Sequence, residues 1–211
     1  MRFENAGSLR FFTLSLLVLP LRAMDDAACD AKITKLIATG GAAVKLCVTT
    51  ERLVPRRRVV FAVLNFDEQS EQFGNRVLVL DYRAAADGRR EALYEDSRGI
   101  DIQPFLFRGK RTLVAISDFD HSGRTGWAIV REFDTGTSLD IQCWDPSVGG
   151  FRKLLPWAKN EEGWYQQQAF YIEGELHGPV ELTDGEIRLP AARPILYRLN
   201  NGRFEMTVRN P

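Results

Sequence analysis

The chain is poor in the residues on which hydrolytic and metal chemistry usually depends, with two histidines and three cysteines in 211 residues. It has no G-x-S-x-G motif, no glycine-rich phosphate loop and no H-E-x-x-H motif. The cysteines have no C-x-x-C spacing, which excludes that class of metal or redox site. His121 and His177 both fall in predicted loops. We therefore expect a protein that is not an enzyme; a two-carboxylate hydrolase stays open, because the separation of two carboxylates depends on the fold.

An excess of positive charge is also missing. Lys and Arg number 28, as do Asp and Glu, so the formal net charge is zero. Such a chain cannot neutralise a phosphate backbone efficiently, and we expect no nucleic-acid partner. Hydrophobic residues make up 45% and charged residues 27%, which is typical of a globular domain. No linker-like or low-complexity segment divides residues 24–211, which we predict to form a single β-rich domain.

The first 23 residues have the order of a secretion signal. Arg2 and Arg10 precede an apolar run over residues 11–21, and Ala23 is a small residue suited to cleavage. The apolar run is shorter than the roughly 20 residues that a membrane-spanning helix needs. We predict a signal peptide over residues 1–23, secretion into the periplasm and no stable membrane span. Cleavage after Ala28 and a buried N-terminal helix are the alternatives.

The three cysteines suit an oxidising compartment, where a pair usually forms a disulfide. Cys29 and Cys47 form the natural pair, closing a short N-terminal loop. In the loop-entropy model such a bridge stabilises the fold by roughly 3 kcal/mol. Cys143 lies in an alternating apolar segment and is predicted to be a buried free thiol. The odd number of cysteines leaves other pairings open.

Short apolar segments at regular spacing dominate the rest of the chain. A short helical pattern over residues 30–44 ends at Gly40-Gly41, and strands are predicted after it. The predicted strands cover residues 44–49, 58–64, 76–81, 103–107, 111–117, 127–133, 138–144, 164–173, 186–189, 194–199 and 203–208. Hairpin turns are predicted at residues 108–110, 134–137, 184–185 and 200–202. This pattern predicts a mostly β fold, an antiparallel sandwich, barrel or propeller-like sheet with a short N-terminal helix.

One acidic segment follows the order of a calcium-binding loop. With Asp118 at position 1, Asp120 falls at position 3, Ser122 at 5, Gly123 at 6 and Arg124 at 7. In such a loop the odd positions supply oxygen ligands, position 6 requires glycine, and position 7 contributes its carbonyl oxygen. The sequence therefore predicts a calcium site formed by Asp118, Asp120, Ser122 and Arg124.

The same segment also fits a turn without metal. Position 9 is Gly126 and position 12 is Ile129, so the closing acid is absent and any calcium affinity falls in the weak range, about 10⁻⁴–10⁻³ M. In this alternative Asp118 and Asp120 accept hydrogen bonds from backbone amides, and Gly123 supplies a positive φ. Arg124 then neutralises the acids.

Residues 117–128 (SDFDHSGRTGWA) resemble the calcium loops of FG-GAP and VCBS repeats, with departures at Ser122 and Gly126. The layout of residues 58–208 is similar to a group of small bacterial periplasmic proteins. The shared layout has the acidic hairpin, the turn of residues 144–152 and a closing hairpin over residues 197–204. The group includes immunity proteins that inhibit lysozyme-like, peptidoglycan-cleaving toxins. The resemblance implies a β-rich, calcium-associated, non-enzymatic domain that blocks the cleft of a secreted toxin enzyme.

Two surfaces are candidates for partner contacts. The polar stretch over residues 65–75 carries Asp67, Glu68 and Glu71, and long polar loops on a rigid sheet often bind partners. Its alternative is an ordinary solvated loop. Trp157, Trp164 and Tyr165 are either core residues or an exposed protein interface or glycan platform. An envelope hydrolase acting on glycan or peptide, and a structural or adhesion module, are the functional alternatives to an inhibitor.

Overall fold

The computed structural model describes residues 26–38, 40–67, 74–97 and 99–208. The predicted signal peptide, residues 1–23, lies outside the described residues. The helices are α1 (Ala31–Ile37) and α2 (Tyr82–Ala86). The strands are β1 (Ala27–Ala28), β2 (Ala43–Val54), β3 (Arg57–Phe66), β4 (Gly74–Asp81), β5 (Ala92–Glu95), β6 (Asp101–Gln103), β7 (Phe105–Phe107), β8 (Lys110–Thr112), β9 (Ala115–Ser117), β10 (Gly126–Phe133), β11 (Gly136–Asp145), β12 (Gly150–Lys153), β13 (Trp157–Lys159), β14 (Tyr165–Gln167), β15 (Phe170–Glu173), β16 (Glu181–Leu182), β17 (Glu186–Leu189), β18 (Ile195–Asn200) and β19 (Arg203–Val208).

These strands form three sheets. The N-terminal sheet has the order β1-β2-β3-β4-β5. The middle sheet has the order β12-β11-β10-β6, with β9 also paired to β10 and β15 to β11. The C-terminal sheet has the order β14-β13-β19-β18-β17-β16-β7-β8. Nearly all pairs are antiparallel, the exceptions being β13 with β19 and β16 with β7. The mostly β prediction is confirmed; the arrangement is sandwich-like, and the described strands do not close into a barrel.

The sheets and helices stack in layers with a hydrophobic cluster between each pair. Ile33 and Ile37 of α1 pack on one face of the N-terminal sheet. The other face of that sheet meets the middle sheet, with Phe61 against Trp127 at a ring-centroid distance of 5.8 Å. The opposite face of the middle sheet packs on the C-terminal sheet, where Phe204 lies in the shared cluster. The outer face of the C-terminal sheet carries the exposed side chains of Arg198 and Arg203.

This layering explains the hydrophobic patterns of the individual strands. Both faces of β3 and β10 are covered, so six residues in a row are buried in each strand: 59–64 in β3 and 126–131 in β10. A strand covered on both faces reads as a continuous apolar run. In β19 Phe204 packs inward, whereas Arg203, which starts the strand, is exposed, as the alternation of a half-buried strand requires.

Two of the predicted hairpins close through left-handed turns. Arg108 and Gly109 have φ of 51° and 75°, and Asn201 and Gly202 have φ of 49° and 76°. Positive φ at both central residues defines the turn type that matches the twist of an antiparallel pair. Strands β7 and β8, and strands β18 and β19, pair across these turns as predicted.

The N-terminal disulfide prediction is confirmed. Cys29 is bonded to Cys47 of β2, with a Cα–Cα distance of 5.4 Å. The bridge encloses α1, whose first turn is capped by Asp30, because the Asp30 carboxylate accepts a hydrogen bond of 2.8 Å from the backbone N–H of Ile33. The helix is therefore fixed at its start by a cap and across its loop by a covalent bond.

Several sequence-based boundaries are wrong. The predicted long strand over residues 164–173 is two strands, β14 in the C-terminal sheet and β15 in the middle sheet. The predicted strand over residues 111–117 is likewise divided, because β8 and β9 belong to different sheets. The predicted polar loop over residues 65–75 is shorter, since Phe66 and Gly74 are still register partners. The sequence analysis did not predict helix α2 or strands β1, β5, β12, β13 and β16. Neither described helix has the length and apolar character to cross a membrane.

Candidate functional site

The acidic loop of residues 118–125 connects β9 to β10. Its path is fixed at the end by Gly126, where an added Cβ would lie 2.4 Å from the carbonyl oxygen of Gln142 and 2.7 Å from the sulfur of Cys143. Gly126 is already paired in the sheet with Cys143 and Ser117. Position 9 of the calcium-type pattern therefore has no room for a ligand side chain.

The two loop carboxylates accept hydrogen bonds from within the loop itself. Asp118 accepts from the backbone N–H groups of Ser122 (3.1 Å) and Gly123 (2.7 Å). Asp120, only 2% exposed, accepts from the Ser122 hydroxyl at 2.6 Å. Its second oxygen lies 3.3 Å from Nη2 of Arg124, whose Nε donates to the Ser122 hydroxyl at 3.1 Å. These contacts match the turn interpretation, in which Arg124 supplies the neutralising charge.

The donor set can be compared with what calcium requires. Calcium takes six to eight oxygen ligands. The side chains of the loop offer the carboxylates of Asp118 and Asp120 and the hydroxyl of Ser122, and the guanidinium of Arg124 contacts two of these groups. Within the described residues there is no group of three or more His, Cys, Asp or Glu side chains that could hold a metal ion. The side chains in this arrangement do not provide the ligand set that calcium needs. Calcium binding by the loop stays a prediction, which a calcium titration can test.

Further contacts hold the loop against the C-terminal sheet. His121, with φ of 56°, places its Nε2 2.8 Å from the carboxylate of Asp184, in the turn between β16 and β17. Phe119 is buried and packs against Phe107 with ring centroids 6.2 Å apart. The loop is consequently a packed part of the domain surface.

Cys143 lies behind the loop as a buried free thiol, as predicted. Burial, followed by the nearby Asp120 carboxylate, raises the pKa of the thiol to about 12. A thiol with such a pKa stays protonated at neutral pH, and only the thiolate is a good nucleophile. Cys143 is therefore a packing residue.

A second polar cluster, which the sequence reasoning missed, is buried between the N-terminal and middle sheets. The guanidinium of Arg131 in β10 donates to both carboxylate oxygens of Asp96, each at 3.0 Å, and through Nε to Asp140 at 3.0 Å. Burial alone lowers the pKa of Arg131, but the charges of Asp96 and Asp140 outweigh it and raise the pKa. We call Asp96, Arg131 and Asp140 the buried ion triad.

Neighbouring groups contact the remaining polar atoms of the two carboxylates in the triad. Tyr94 donates its hydroxyl to Asp96 at 2.8 Å, and the backbone N–H of Val77 donates to the other oxygen at 2.7 Å. Burial, then the Asp96 charge, raises the pKa of the Tyr94 phenol. The ammonium of Lys153 lies 3.3 Å from Asp140 at the solvent edge. Asp96 and Asp140 open onto a cleft of about 350 Å³.

A signal for the triad exists in the sequence. Arg131 and Asp140 are charges of opposite sign within two apolar strands joined by a short turn. Both fall on the strand positions that face the N-terminal sheet, since their neighbours Val130 and Leu139 face the opposite cluster. A charge at a buried strand position needs a partner, so the pair was open to prediction.

Of the three predicted partner-binding residues, the structure describes one, Asp67. Asp67 is exposed directly after β3, and Glu68 and Glu71 fall outside the described residues. Of the three aromatic candidates, Trp164 and Tyr165 are 71% and 53% exposed, so they are not core residues. Trp157 is half-buried.

No protein-family model, no curated protein and no solved structure matches this chain. The function must therefore be inferred from the geometry of the molecule.

Proposed function

We propose that this chain is an exported, non-catalytic binding protein that inhibits a peptidoglycan-cleaving, lysozyme-like toxin in the periplasm. The observation that carries the proposal is the buried ion triad. Asp96 and Asp140 line one cleft together with Glu95, and Arg131 bonds to both aspartates at 3.0 Å. A general acid and base must exchange protons freely with a substrate. Carboxylates held by one guanidinium serve the fold instead.

Export is supported by the disulfide between Cys29 and Cys47, because such bonds persist in oxidising compartments. The predicted signal peptide over residues 1–23 gives the route. A mature domain beginning after Ala23 retains both cysteines.

The inhibitory surface is assigned to the end of the β3–β4 hairpin. Strands β3 and β4 are central in the N-terminal sheet and buried over most of their length, so the hairpin is a rigid support. The sequence between the two strands contains three acidic residues, Asp67, Glu68 and Glu71. An acidic segment on a rigid support suits insertion into a cleft with a positive rim, where charge complementarity speeds association.

The experiment is an inhibition assay with purified mature protein and suspended peptidoglycan. The enzymes are a lysozyme-type toxin encoded beside this gene and a commercial lysozyme. We expect the wild type to slow clearing of the suspension by at least one of them. The triple variant Asp67→Lys, Glu68→Lys and Glu71→Lys should need about tenfold more protein for the same inhibition.

A matched control distinguishes the effect of where the acidic residues lie from the effect of a change in net charge. Glu51, Glu91 and Glu175 are exposed acids elsewhere on the described surface. Replacing these three with lysine changes the net charge by the same amount and should leave inhibition unchanged. Equal loss in both triple variants would show that the end of the β3–β4 hairpin is not the contact surface. Absence of inhibition by the wild type would overturn the inhibitor proposal itself.

A hydrolase is the second candidate, favoured by the carboxylates of Glu95, Asp96 and Asp140 on one cleft. It predicts that the protein alone releases fragments from peptidoglycan and that Asp140→Asn abolishes the release. The inhibitor proposal predicts no release from either protein. Chromatography of the soluble fraction after incubation distinguishes the two functions.

A further inference from the structure

The hairpin of β13 and β14 exposes two aromatic residues in succession. Trp164 and Tyr165 are 71% and 53% exposed. The other large exposed hydrophobic residues of the described chain are Phe133 and Val148, which lie elsewhere. Aromatic side chains normally bury most of their surface, and when exposed on a rigid element they are typical recognition residues.

The tip of this hairpin is held in one conformation by Asn160. The side-chain oxygen of Asn160 accepts a hydrogen bond of 2.8 Å from the backbone N–H of Trp164. The backbone N–H of Asn160 donates to the Trp164 carbonyl, also at 2.8 Å. Gly163, with φ of 85°, closes the turn by donating to the Asn160 carbonyl at 2.9 Å. Because the backbone of Trp164 is fixed at both its N–H and its C=O, little backbone entropy is lost when its ring binds a ligand.

Further aromatic and polar groups share the outer face of the C-terminal sheet beside the tip. Lys159 is the register partner of Tyr165, and its ammonium lies 5.4 Å from the centre of the Tyr165 ring. Trp157 is the register partner of Gln167, and the guanidinium of Arg203 lies 5.5 Å from its ring. Register partners point to the same face. This end of the sheet therefore combines the rings of Trp157 and Tyr165 with the cations of Lys159 and Arg203 and the amide of Gln167.

We propose that this aromatic hairpin, residues 157–167, binds a glycan chain built of pyranose rings. The apolar face of a sugar ring carries C–H groups that stack on an exposed aromatic ring, here Tyr165 on the outer face or Trp164 at the tip, and its hydroxyls exchange hydrogen bonds with side-chain amides. Gln167 supplies such a group on the face of Tyr165, because side chains two residues apart in a strand point to the same side.

The surroundings of the rings favour a glycan over a protein partner. A stable protein interface covers about 800 Å² on each partner, with an apolar centre from which charged residues are depleted. Here the exposed residues close to Trp164 in the chain include Glu161, Glu162 and Gln166, and no described residue of the hairpin is an exposed aliphatic side chain. Isolated rings among amides and charges match the alternating apolar and polar surface of a sugar. This site does not depend on the inhibitor proposal, because it involves a different sheet from the β3–β4 hairpin.

The test is direct titration of the mature protein with three soluble probes: N-acetylglucosamine oligomers, cello-oligosaccharides and peptide-free peptidoglycan glycan strands. Calorimetry and tryptophan fluorescence follow the binding. We expect saturable binding of at least one probe, with a shift of tryptophan emission. Trp164→Ala should weaken that binding by about tenfold or more, as expected for loss of one stacked ring.

Phe133→Ala is the matched control. Phe133 is also an aromatic residue with an exposed ring, 43% exposed, but it ends β10 in the middle sheet. This variant should leave binding unchanged, and circular dichroism should show the wild-type spectrum for both variants. Absence of saturable binding of all three probes at millimolar concentration would overturn the proposal. Binding that survives the double change Trp164→Ala and Tyr165→Ala would do so too. Trp164-dependent binding of lysozyme without binding of any glycan would assign the hairpin to a protein partner instead.

Discussion

The guanidinium of Arg131 donates two parallel hydrogen bonds, each 3.0 Å long, to the carboxylate of Asp96, which lies 35 positions earlier in the chain. Arg131 belongs to the middle sheet, and Asp96 follows the edge strand of the N-terminal sheet. The pair therefore joins two layers of the sandwich in a place where side chains are almost fully buried. A planar, two-pronged contact of this kind fixes the relative orientation of its partners as well as their distance.

Loss of Arg131 should destabilise the protein strongly. Arg131→Met leaves Asp96 and Asp140 buried without their cation, and breaking a buried ion pair costs about 3–5 kcal/mol. Urea denaturation measures the free energy of unfolding. Arg188→Met is the control, because Arg188 pairs with Glu181 at the surface and such pairs contribute about 0–1 kcal/mol.

The triad should also show non-additivity. Adding Asp96→Asn and Asp140→Asn to Arg131→Met removes the uncompensated charges, so part of the lost stability should return. If the triple variant is less stable than Arg131→Met by the full sum of the single effects, the three groups do not act as one unit.

Gly126 should tolerate no side chain, whereas Gly150 should accept one. Neither glycine has a φ in the left-handed region, so the two differ only in the space around them. A Cβ on Gly126 would meet the Gln142 carbonyl at 2.4 Å, whereas nothing lies within 4 Å of one on Gly150. Gly126→Ala is expected to lower the free energy of unfolding by about 1–3 kcal/mol, and Gly150→Ala by less than about 0.5 kcal/mol. Equal effects in the two variants would mean that β10 and β11 are not packed this closely at the end of the acidic loop.

The sequence could predict those parts of the fold that depend on local chemistry. Asn201-Gly202 adopts the turn that its residue types favour, and Gly109 supplies one of the two positive φ angles of the β7–β8 turn. The division of residues 164–173 could not be seen, because the two halves are both suited to strands and differ only in the sheet that they join. Gln168, between them, donates its backbone N–H to the carbonyl of Pro156 at 2.9 Å, a contact that depends on tertiary structure.

For the acidic loop, the sequence predicted which residues come together but left open what neutralises them. Asp118, Asp120, Ser122 and Arg124 do converge. Whether a cation from solution or the Arg124 side chain balances two acids depends on a rotamer of a long side chain, which residue order does not determine. The packing role of Gly126 was equally hidden, because it arises from β11.

Thermal unfolding distinguishes a loop whose acids are neutralised by a calcium ion from one whose acids are neutralised by Arg124. From the contacts in the loop we expect Asp120→Ala to lower the unfolding midpoint equally with millimolar calcium and with chelator, since it removes the acceptor of the Ser122 hydroxyl and the partner of Arg124. A ligand that binds only the folded state raises the midpoint as its concentration rises. If calcium raises the midpoint of the wild type but not of Asp120→Ala, the calcium site predicted from the sequence is correct.

Cys143 should be unreactive in the folded protein. The ordinary thiol pKa of 9.0 is raised to about 12 by burial, so at pH 8 a thiol reagent should label Cys143 only after unfolding. Because the folded state holds the Cys143 proton more tightly than the unfolded chain does, protonation of this thiol favours folding. That contribution to stability is fully present below about pH 9 and is lost as the pH rises towards 12. Cys143→Ala should remove that component of the alkaline loss of stability. Rapid labelling at pH 8 without denaturant would contradict the buried position.

The disulfide should contribute to stability independently of the free thiol. Replacing Cys29 and Cys47 with serine is expected to lower the free energy of unfolding by roughly 3 kcal/mol. A reducing agent should shift the unfolding midpoint of the wild type and of Cys143→Ala, but not that of the double serine variant. An equal shift in all three proteins would show that the reductant acts elsewhere.

The most direct test of the proposed function measures peptidoglycan cleavage with and without this protein in one assay. Fluorescently labelled peptidoglycan is incubated with the protein alone, with a lysozyme-type toxin alone, and with both at increasing ratios. The inhibitor proposal predicts no release by the protein alone and a fall in toxin-dependent release that is complete near equimolar protein. Release by the protein alone, or release by the toxin that is unchanged at every ratio, would contradict it.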